Sequence, residues 1–188
     1  KDGECVDCPS NTYKTDYNSS ISCTPYSKTE CDAGKKLIPG DKTKDGECVD
    51  CPSNTYKTDT NSSISCTPHS ITNCGPGKKL TPGTKTKDGE CVDCPAGQYK
   101  SGTDSSTSCY PHSITNCGSG KKLTPGTRTN NGICNDCPTG EYKIGTNSST
   151  SCYPHSITNC GPGKKLTPGT RTNNGICNDC PAWKYKTG

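Results

Sequence analysis

Cysteines recur along this chain at a constant step of 43 residues. One series occupies positions 5, 48, 91, 134 and 177, and three further series keep the same step without insertion or deletion. A fixed period of roughly 20 to 50 residues indicates a tandem-repeat protein. The sequence therefore predicts four repeats between two partial ones. The expected boundaries are 1–7 for the end of a preceding repeat, 8–50, 51–93, 94–136 and 137–179 for repeats 1 to 4, and 180–188 for the start of a following repeat.

The composition excludes an ordinary globular core. Only 25% of the 188 residues are hydrophobic, and Phe and Met are absent. Such a chain cannot bury enough apolar surface to offset its conformational entropy. Its 18 cysteines supply the missing constraint and indicate a disulfide scaffold of the extracellular space, the cell surface or a secretory lumen. No apolar run is long enough to span a membrane.

The distribution of charge does not indicate a nucleic-acid-binding protein. The net charge is +4, and Lys and Arg alternate along the chain with Asp and Glu. A dispersed charge of this size is typical of a solvated surface rather than of a nucleic-acid interface. The Lys-Lys pairs at 35–36, 78–79, 121–122 and 164–165 keep the protein soluble or form a basic stripe for acidic glycans.

Each repeat has two halves. The first is Cys-Pro-x-x-x-Tyr-Lys followed by a Ser/Thr-rich stretch and a cysteine, and the second is Cys-x-x-Gly-Lys-Lys-Leu followed by Pro-Gly and Asp-Gly or Asn-Gly. These dipeptides are strong turn signals, and no segment has a helical apolar period. The expected fold class is small and disulfide-rich, an elongated tandem array of irregular short-strand and turn modules with little or no helix.

The four cysteines of a repeat allow three connectivities, and the sequence alone does not choose among them. Local closure is favoured, because one disulfide per half closes a short loop and contributes roughly 3 kcal/mol. That pairing is Cys8–Cys23, Cys31–Cys48, Cys51–Cys66, Cys74–Cys91, Cys94–Cys109, Cys117–Cys134, Cys137–Cys152 and Cys160–Cys177. Cys5 and Cys180 then find partners outside this segment.

Two alternatives remain for the cysteines. A redox-type bond within each Cys-x-x-Cys would pair all 18 internally. A zinc site would need a second Cys-x-x-Cys or a spaced histidine pair, which no repeat supplies. We expect no metal and no cofactor.

Two segments resemble a known family. The run from Cys94-Pro95-Ala96-Gly97-Gln98-Tyr99 to Cys109 resembles the opening of a tumour necrosis factor receptor cysteine-rich repeat, and the run from Cys117 to Cys134 resembles its close. The resemblance extends over all four repeats. Ephrin-receptor-like repeats and the surface antigens of some protists share the same Cys-Pro-x-Gly-x-Tyr style.

The chain departs from that family in one consistent way. The family's usual repeat has six cysteines bonded one–two, three–five and four–six, and here the third and fifth are absent from every repeat. The resemblance implies that the surviving bonds are one–two and four–six, as in the local pairing, and that repeats stack end to end. It implies no ligand, because the family's ligand contacts lie on variable loops without a match here.

The remaining polar residues suggest modification rather than catalysis. Asn18, Asn61 and Asn147 each begin an Asn-Ser-Ser sequon, which predicts N-linked glycans, whereas repeat 3 has Asp104 there. The Ser/Thr-rich stretches also permit O-linked glycans.

No catalytic constellation is present, so we expect no enzyme. One histidine position recurs in repeats 2 to 4, and Tyr26 occupies it in repeat 1. We expect the residues at this position, and the tyrosines that follow Cys-Pro, to pack on disulfides or turns. These residues are His69, His112 and His155, and Tyr13, Tyr56, Tyr99, Tyr142 and Tyr185.

Two functional hypotheses follow. Segments 91–133 and 134–176 are identical at 37 of 43 positions. Copies this similar favour a structural protein, a glycosylated rod-like segment of a filament, stalk or surface coat that associates with itself or packs laterally. The alternative is a ligand-binding receptor ectodomain or a protist-type surface antigen. Its signs would be exposed anchors such as Tyr17, Tyr26 or Trp183.

Overall fold

A computed structural model describes residues 4–17 and 22–184. Over these residues the chain has no helix, and hence none that could cross a membrane. Short antiparallel strand pairs, turns and disulfides make up the fold, which confirms the predicted class of a small disulfide-rich protein of tandem short-strand modules.

Sixteen short strands are described. They are β1 Thr12–Tyr13, β2 Thr24–Pro25, β3 Lys35–Ile38, β4 Glu47–Asp50, β5 Thr55–Tyr56, β6 Thr67–Pro68, β7 Lys78–Thr81, β8 Glu90–Asp93, β9 Gln98–Tyr99, β10 Tyr110–Pro111, β11 Lys121–Thr124, β12 Ile133–Asp136, β13 Glu141–Tyr142, β14 Tyr153–Pro154, β15 Lys164–Thr167 and β16 Ile176–Asp179. Each pairs with its neighbour in sequence, giving eight two-stranded sheets. Every repeat thus has a pair of two-residue strands in its first half and a hairpin of two four-residue strands in its second half.

The chain divides into two compact units. The first comprises Lys1–Cys74, Leu80–Val92 and Asp104–Thr107, and the second comprises Gly75–Lys79, Asp93–Thr103 and Ser108–Gly188. Within the first unit, Leu37 of β3 lies opposite Cys48 of β4 and is 8% exposed. Within the second, Leu123 of β11 lies opposite Cys134 of β12 and is 7% exposed. Each of these two hairpins therefore buries a single leucine beside a disulfide, whereas Leu166 in the hairpin of repeat 4 is half-buried.

The hairpin loop differs from the sequence expectation. Asp-Gly steps form tight turns through a positive φ, so the sequence predicts the turn at 45–46, but Gly46 is not among the residues with positive φ. The turn lies earlier, where the Asp41 N–H donates to the Lys44 carbonyl at 3.0 Å. Gly46 is required for space, because a Cβ there would lie 2.2 Å from the carbonyl oxygen of Lys28.

Positive φ occurs elsewhere in each repeat. Asn11 and Asn54 have φ of 64°, and Gly97 and Gly140 occupy the equivalent position with φ of 79° and 85°. Asn and Gly are the residues that adopt this left-handed conformation at least cost. Their exchange between repeats 1–2 and 3–4 therefore preserves the backbone.

Candidate functional site: the joint between consecutive repeats

Within the first unit, repeat 2 is attached to repeat 1 by backbone hydrogen bonds. Cys31 and Asn61 form an antiparallel bridge, with N–H to carbonyl distances of 2.9 and 3.1 Å. The Gly34 N–H donates to the Lys57 carbonyl at 2.8 Å, and the Cys51 N–H donates to the Gly34 carbonyl at 2.8 Å. We call these contacts the joint of repeats 1 and 2. Both of its cysteines are buried, Cys31 at 1% and Cys51 at 3% exposure.

A buried lysine completes this joint. Lys57 is 6% exposed, and its Nζ donates to the carbonyl oxygens of Cys31 at 2.7 Å and of Asn61 at 3.1 Å. Lysine is rarely buried unless its nitrogen has hydrogen-bond partners. Here both partners are main-chain oxygens, one in each repeat, so a single side chain links the two.

Within the second unit, the joint of repeats 3 and 4 has the same construction. Cys117 and Asn147 bridge at 2.9 and 3.1 Å, and the Gly120 N–H donates to the Lys143 carbonyl at 2.8 Å. Lys143 is fully buried, and its Nζ lies 2.6 Å from the Cys117 oxygen and 3.4 Å from those of Gly118 and Asn147. The two joints therefore use equivalent atoms in each unit.

Ion pairs cover each joint on the surface. In the first unit Lys85 pairs with Asp50, and hydrogen bonding and charge from Lys85 lower the pKa of the Asp50 carboxyl. In the second unit Asp136 forms ion pairs with Lys121 at 2.6 Å and with Arg171 at 3.0 Å. Lys121 is the main cause of the lowered pKa of the Asp136 carboxyl. Exposed pairs of this kind contribute little stability individually, so the buried contacts dominate the joint.

Each described repeat also has a small aromatic stack. The His155 ring lies 5.3 Å from the Tyr142 ring, centroid to centroid, with planes 12° apart. Repeats 2 and 3 have equivalent His69–Tyr56 and His112–Tyr99 stacks, and repeat 1 has Tyr26 on Tyr13 at 6.1 Å. The imidazole also lies against Gly169, where a Cβ would lie 2.2 Å from His155 Nδ1. The histidines therefore pack on a tyrosine and a turn glycine. Tyr185 lies outside the described residues.

An Asp or Asn side chain closes the hairpin loop of every repeat. Asp45 accepts hydrogen bonds from the N–H groups of Ser27, Lys28 and Gly46 and from the Ser27 hydroxyl. The Ser27 hydroxyl is the main cause of the lowered pKa of Asp45. Asp88 has the same contacts in repeat 2, and its pKa is likewise lowered, most of all by the Ser70 hydroxyl.

Asparagine takes this role in repeats 3 and 4. The Oδ1 atoms of Asn131 and Asn174 accept from the following glycine N–H at 2.8 and 2.9 Å. Each also accepts from a serine N–H at 3.1 Å, and its amide nitrogen donates to that serine's hydroxyl.

Eight disulfides lie within the described part of the chain. They join Cys8–Cys23, Cys31–Cys48, Cys51–Cys66, Cys74–Cys91, Cys94–Cys109, Cys117–Cys134, Cys137–Cys152 and Cys160–Cys177. Cys5 is free and exposed, and Cys180 is free and half-buried. Tandem modules with two local disulfides each fit the cysteine-rich repeat pattern that the sequence resembles. In residues 4–17 and 22–184, no group of three or more His, Cys, Asp or Glu side chains could hold a metal ion.

The sequons of Asn61 and Asn147 lie in the joints. Asn61 Oδ1 accepts from the Ser63 N–H at 2.9 Å, and Asn147 Oδ1 accepts from Ser149 at 2.9 Å. Asp104 makes the same bond to Ser106 at 2.7 Å. The bond engages Oδ1 and not Nδ2, which is the atom that N-glycosylation modifies. Asn18 lies outside the described residues.

Comparison with known proteins gives a limited result. No protein-family profile and no curated protein sequence matches this chain. The solved structures that match include a human RANKL/OPG complex, at 21% identity over 92% of this chain and 99% of that chain, with a TM-score of 0.32. They also include a mouse RANKL-OPG complex, at 22% identity over 75% and 97% of the respective chains, again with a TM-score of 0.32. Matches with TM-scores this low carry no argument about the present chain.

Proposed function

We propose that this chain is part of an extracellular cysteine-rich repeat protein, in which repeats 8–50, 51–93, 94–136 and 137–179 form a structural array. Such an array would belong to a filament, stalk or surface coat. The observation that carries the proposal is the recurrence of the joint, with a buried cysteine, a bridging Asn or Asp and a buried Lys at equivalent positions of the repeat.

The recurrence matters because it makes the array extendable. In repeat proteins, stability is approximately a sum of repeat terms and nearest-neighbour terms. If every joint uses the same atoms, a further copy adds the same contacts whatever the number already present. A structural protein needs this property, whereas capture of a single ligand does not.

An extracellular location is supported by the eight disulfides, since such bonds persist in oxidising compartments. We further propose N-linked glycans on Asn18, Asn61 and Asn147 and O-linked glycans on the Ser/Thr-rich stretches. Lateral packing or self-association of such arrays is part of the same proposal.

A second candidate function is a receptor-like ectodomain or surface antigen. Tyr110 and Tyr153 are 63% and 61% exposed, and repeats 1 and 2 have threonine at this position. Exposed tyrosines are frequent anchors of protein interfaces. A binding function would therefore reside in repeats 3 and 4.

Imaging of the native particle distinguishes the two functions. If the structural proposal is right, the images should show a continuous assembly whose density repeats with each 43-residue module. Isolated ectodomains would refute it. A second test replaces Tyr110 and Tyr153 together by threonine, the residue of repeats 1 and 2. An unchanged assembly supports the structural role, whereas loss of cell-surface cross-linking to another protein supports the binding role.

A further inference from the structure

We infer that Asn131 and Asn174 are sites of spontaneous deamidation in the folded protein, promoted by their own surroundings. The reaction would convert the Asn-Gly repeats 3 and 4 into the Asp-Gly form that repeats 1 and 2 already have. Both the starting state and the product state are therefore present in one molecule, at one position of the repeat.

The nucleophile of this reaction is already placed. Deamidation begins when the backbone nitrogen of the following residue attacks the side-chain carbonyl carbon, Cγ. The Gly132 N–H donates to Asn131 Oδ1 at 2.8 Å, and the Gly175 N–H donates to Asn174 Oδ1 at 2.9 Å, so each side chain is folded back toward the nitrogen that would attack it. Holding two reacting groups together in this way removes much of the entropic barrier.

Hydrogen-bond donors surround the oxygen on which charge develops. Asn131 Oδ1 accepts from the N–H groups of Ser113 at 3.1 Å and Ile114 at 3.3 Å. Attack at Cγ turns this oxygen into an oxyanion, and fixed backbone N–H groups stabilise such a charge. In repeat 4, Asn174 has the same donors, from Ser156 at 3.1 Å and Ile157 at 3.4 Å.

A hydroxyl group lies beside the leaving nitrogen. Asn131 Nδ2 is 2.6 Å from Ser113 Oγ, and Asn174 Nδ2 is 2.7 Å from Ser156 Oγ. In the step, the glycine nitrogen loses its proton to solvent base and bonds to Cγ. The Cγ–Nδ2 bond breaks, the leaving nitrogen takes a proton from water, and ammonia departs, while the serine Oγ that accepts from Nδ2 holds the side-chain amide in place. The resulting succinimide is opened by one water molecule.

The product is expected to be aspartate rather than isoaspartate. Water that adds at Cγ gives aspartate, and water that adds at the main-chain carbonyl carbon gives isoaspartate with a longer backbone. The N–H donors lie on the Cγ oxygen, so they favour addition there. The aspartate product fits, because Asp45 and Asp88 accept from the equivalent N–H groups and from the serine hydroxyl.

Space around the glycine favours the same product. Gly132 packs against Ile114, and a Cβ on Gly132 would lie 2.0 Å from the Ile114 oxygen. An isoaspartyl linkage at residue 131 adds one carbon to the main chain, and Gly132 has no free space on the side of Ile114 to take up that change. The folded protein therefore resists the lengthened backbone.

The test is to incubate the folded, disulfide-bonded chain in heavy-oxygen water at neutral and mildly alkaline pH. Peptide mapping then follows label uptake at each Asn. Asn131 and Asn174 should convert faster as pH rises, mainly to aspartate, while Asn11, Asn54 and Asn135 stay amides. The variant Ser113→Ala should slow Asn131 several-fold and leave Asn174 unchanged, and Ser156→Ala should do the reverse.

Each variant thus contains its own control, because the other repeat is untouched and reports that the fold is intact. The reduced and alkylated chain measures the reactivity of the local sequence alone. The inference is overturned if both asparagines survive in the folded protein while they convert in the reduced chain. It is also overturned if the serine substitutions leave both rates unchanged, or if isoaspartate predominates in the folded protein.

Discussion

The side-chain nitrogen of Lys143 lies 2.6 Å from the main-chain oxygen of Cys117, a residue of the preceding repeat whose own sulfur is in a disulfide. The contact therefore links a disulfide-bonded cysteine of repeat 3 to repeat 4. It is also fully buried on the lysine side, since Lys143 has no exposed surface.

Replacing Lys143 by Met should therefore weaken the joint of repeats 3 and 4. The carbonyl oxygens of Cys117, Gly118 and Asn147 would each lose the lysine as a donor and keep only a backbone N–H donor. A hydrogen bond from a charged group contributes roughly 1.5–3 kcal/mol. The measurement is hydrogen exchange of the Cys117 and Asn147 amides, which bridge the two repeats.

The matched control for that variant is Lys121→Met. Lys121 is exposed and pairs only on the surface with Asp136, which Arg171 also contacts. This substitution should leave exchange at the joint nearly unchanged. Equal effects of the two substitutions would contradict the role assigned to Lys143.

The buried lysine also marks the limit of what the sequence predicts. The Tyr-Lys step follows Cys-Pro in every repeat, so the signal was visible. However, lysine is ordinarily a surface residue, and the acceptor of Lys143 is a backbone oxygen 26 residues away. Backbone acceptors have no sequence signature, so the pattern could not reveal this contact.

Features that depend on local residue spacing can be predicted from the sequence. The absence of helix and the presence of short strands follow from turn dipeptides and missing apolar periodicity. The position of the hairpin turn did not follow, because Gly46 meets the carbonyl of Lys28, a contact formed only by the folded chain. Steric reasons for glycine are invisible until the neighbouring segment is known.

Gly169→Ala should destabilise repeat 4. The added Cβ would lie 2.2 Å from His155 Nδ1 and 2.9 Å from the Gly175 nitrogen. Relieving that overlap requires the imidazole to leave Tyr142, and overpacking of this kind costs roughly 1–3 kcal/mol. The NMR shifts of the His155 ring should change together with a lower unfolding midpoint.

Gly161→Ala is the control in the same repeat, because nothing lies within 4 Å of a Cβ there. Its unfolding midpoint should match that of the unsubstituted chain. If Gly169→Ala behaved like Gly161→Ala, the stack of His155 on Tyr142 would not depend on the turn glycine.

Acid should loosen the hairpin loops of repeats 1 and 2 before those of repeats 3 and 4. Folding lowers the pKa of Asp45 and Asp88 through hydrogen bonds to their carboxylates. A group with a lowered folded pKa stabilises the fold above its unfolded value of about 3.9, and this contribution is lost as pH falls through the folded pKa. Asn131 and Asn174 do not titrate.

The measurement compares amide protection factors as pH falls from neutral into strong acid. Ser70 and Ile71, which donate to Asp88, should lose protection, while Ser113 and Ile114, which donate to Asn131, should keep theirs. The variant Asp88→Asn should make repeat 2 behave like repeat 3. Simultaneous loss in all repeats would show that another group controls the acid response.

Non-reducing peptide mapping should recover the local disulfide pairing, with Cys51 linked to Cys66 and Cys74 linked to Cys91. A peptide linking Cys48 to Cys51 would contradict it. Reduction should then abolish amide protection throughout, because the described core consists mainly of half-cystines and single leucines. Persistent protection in the reduced chain would reveal an additional source of stability.

Glycans should be found on Asn18, Asn61 and Asn147 of protein from its native source, and none on Asp104. Asn147 is exposed, and the hydrogen bond to Ser149 engages Oδ1 rather than the nitrogen that would bear the sugar. Asp104 makes the same turn in repeat 3 and shows that the joint forms without an asparagine. Glycopeptide mass spectrometry measures the occupancy of each site.

The variant Asp104→Asn, which restores Asn-Ser-Ser, should gain a glycan without changing the Cys74 bridge, and Ser149→Ala should lose the one on Asn147. Bare asparagines in the native protein, or no gain at residue 104, would mean that the closed joint excludes the modification.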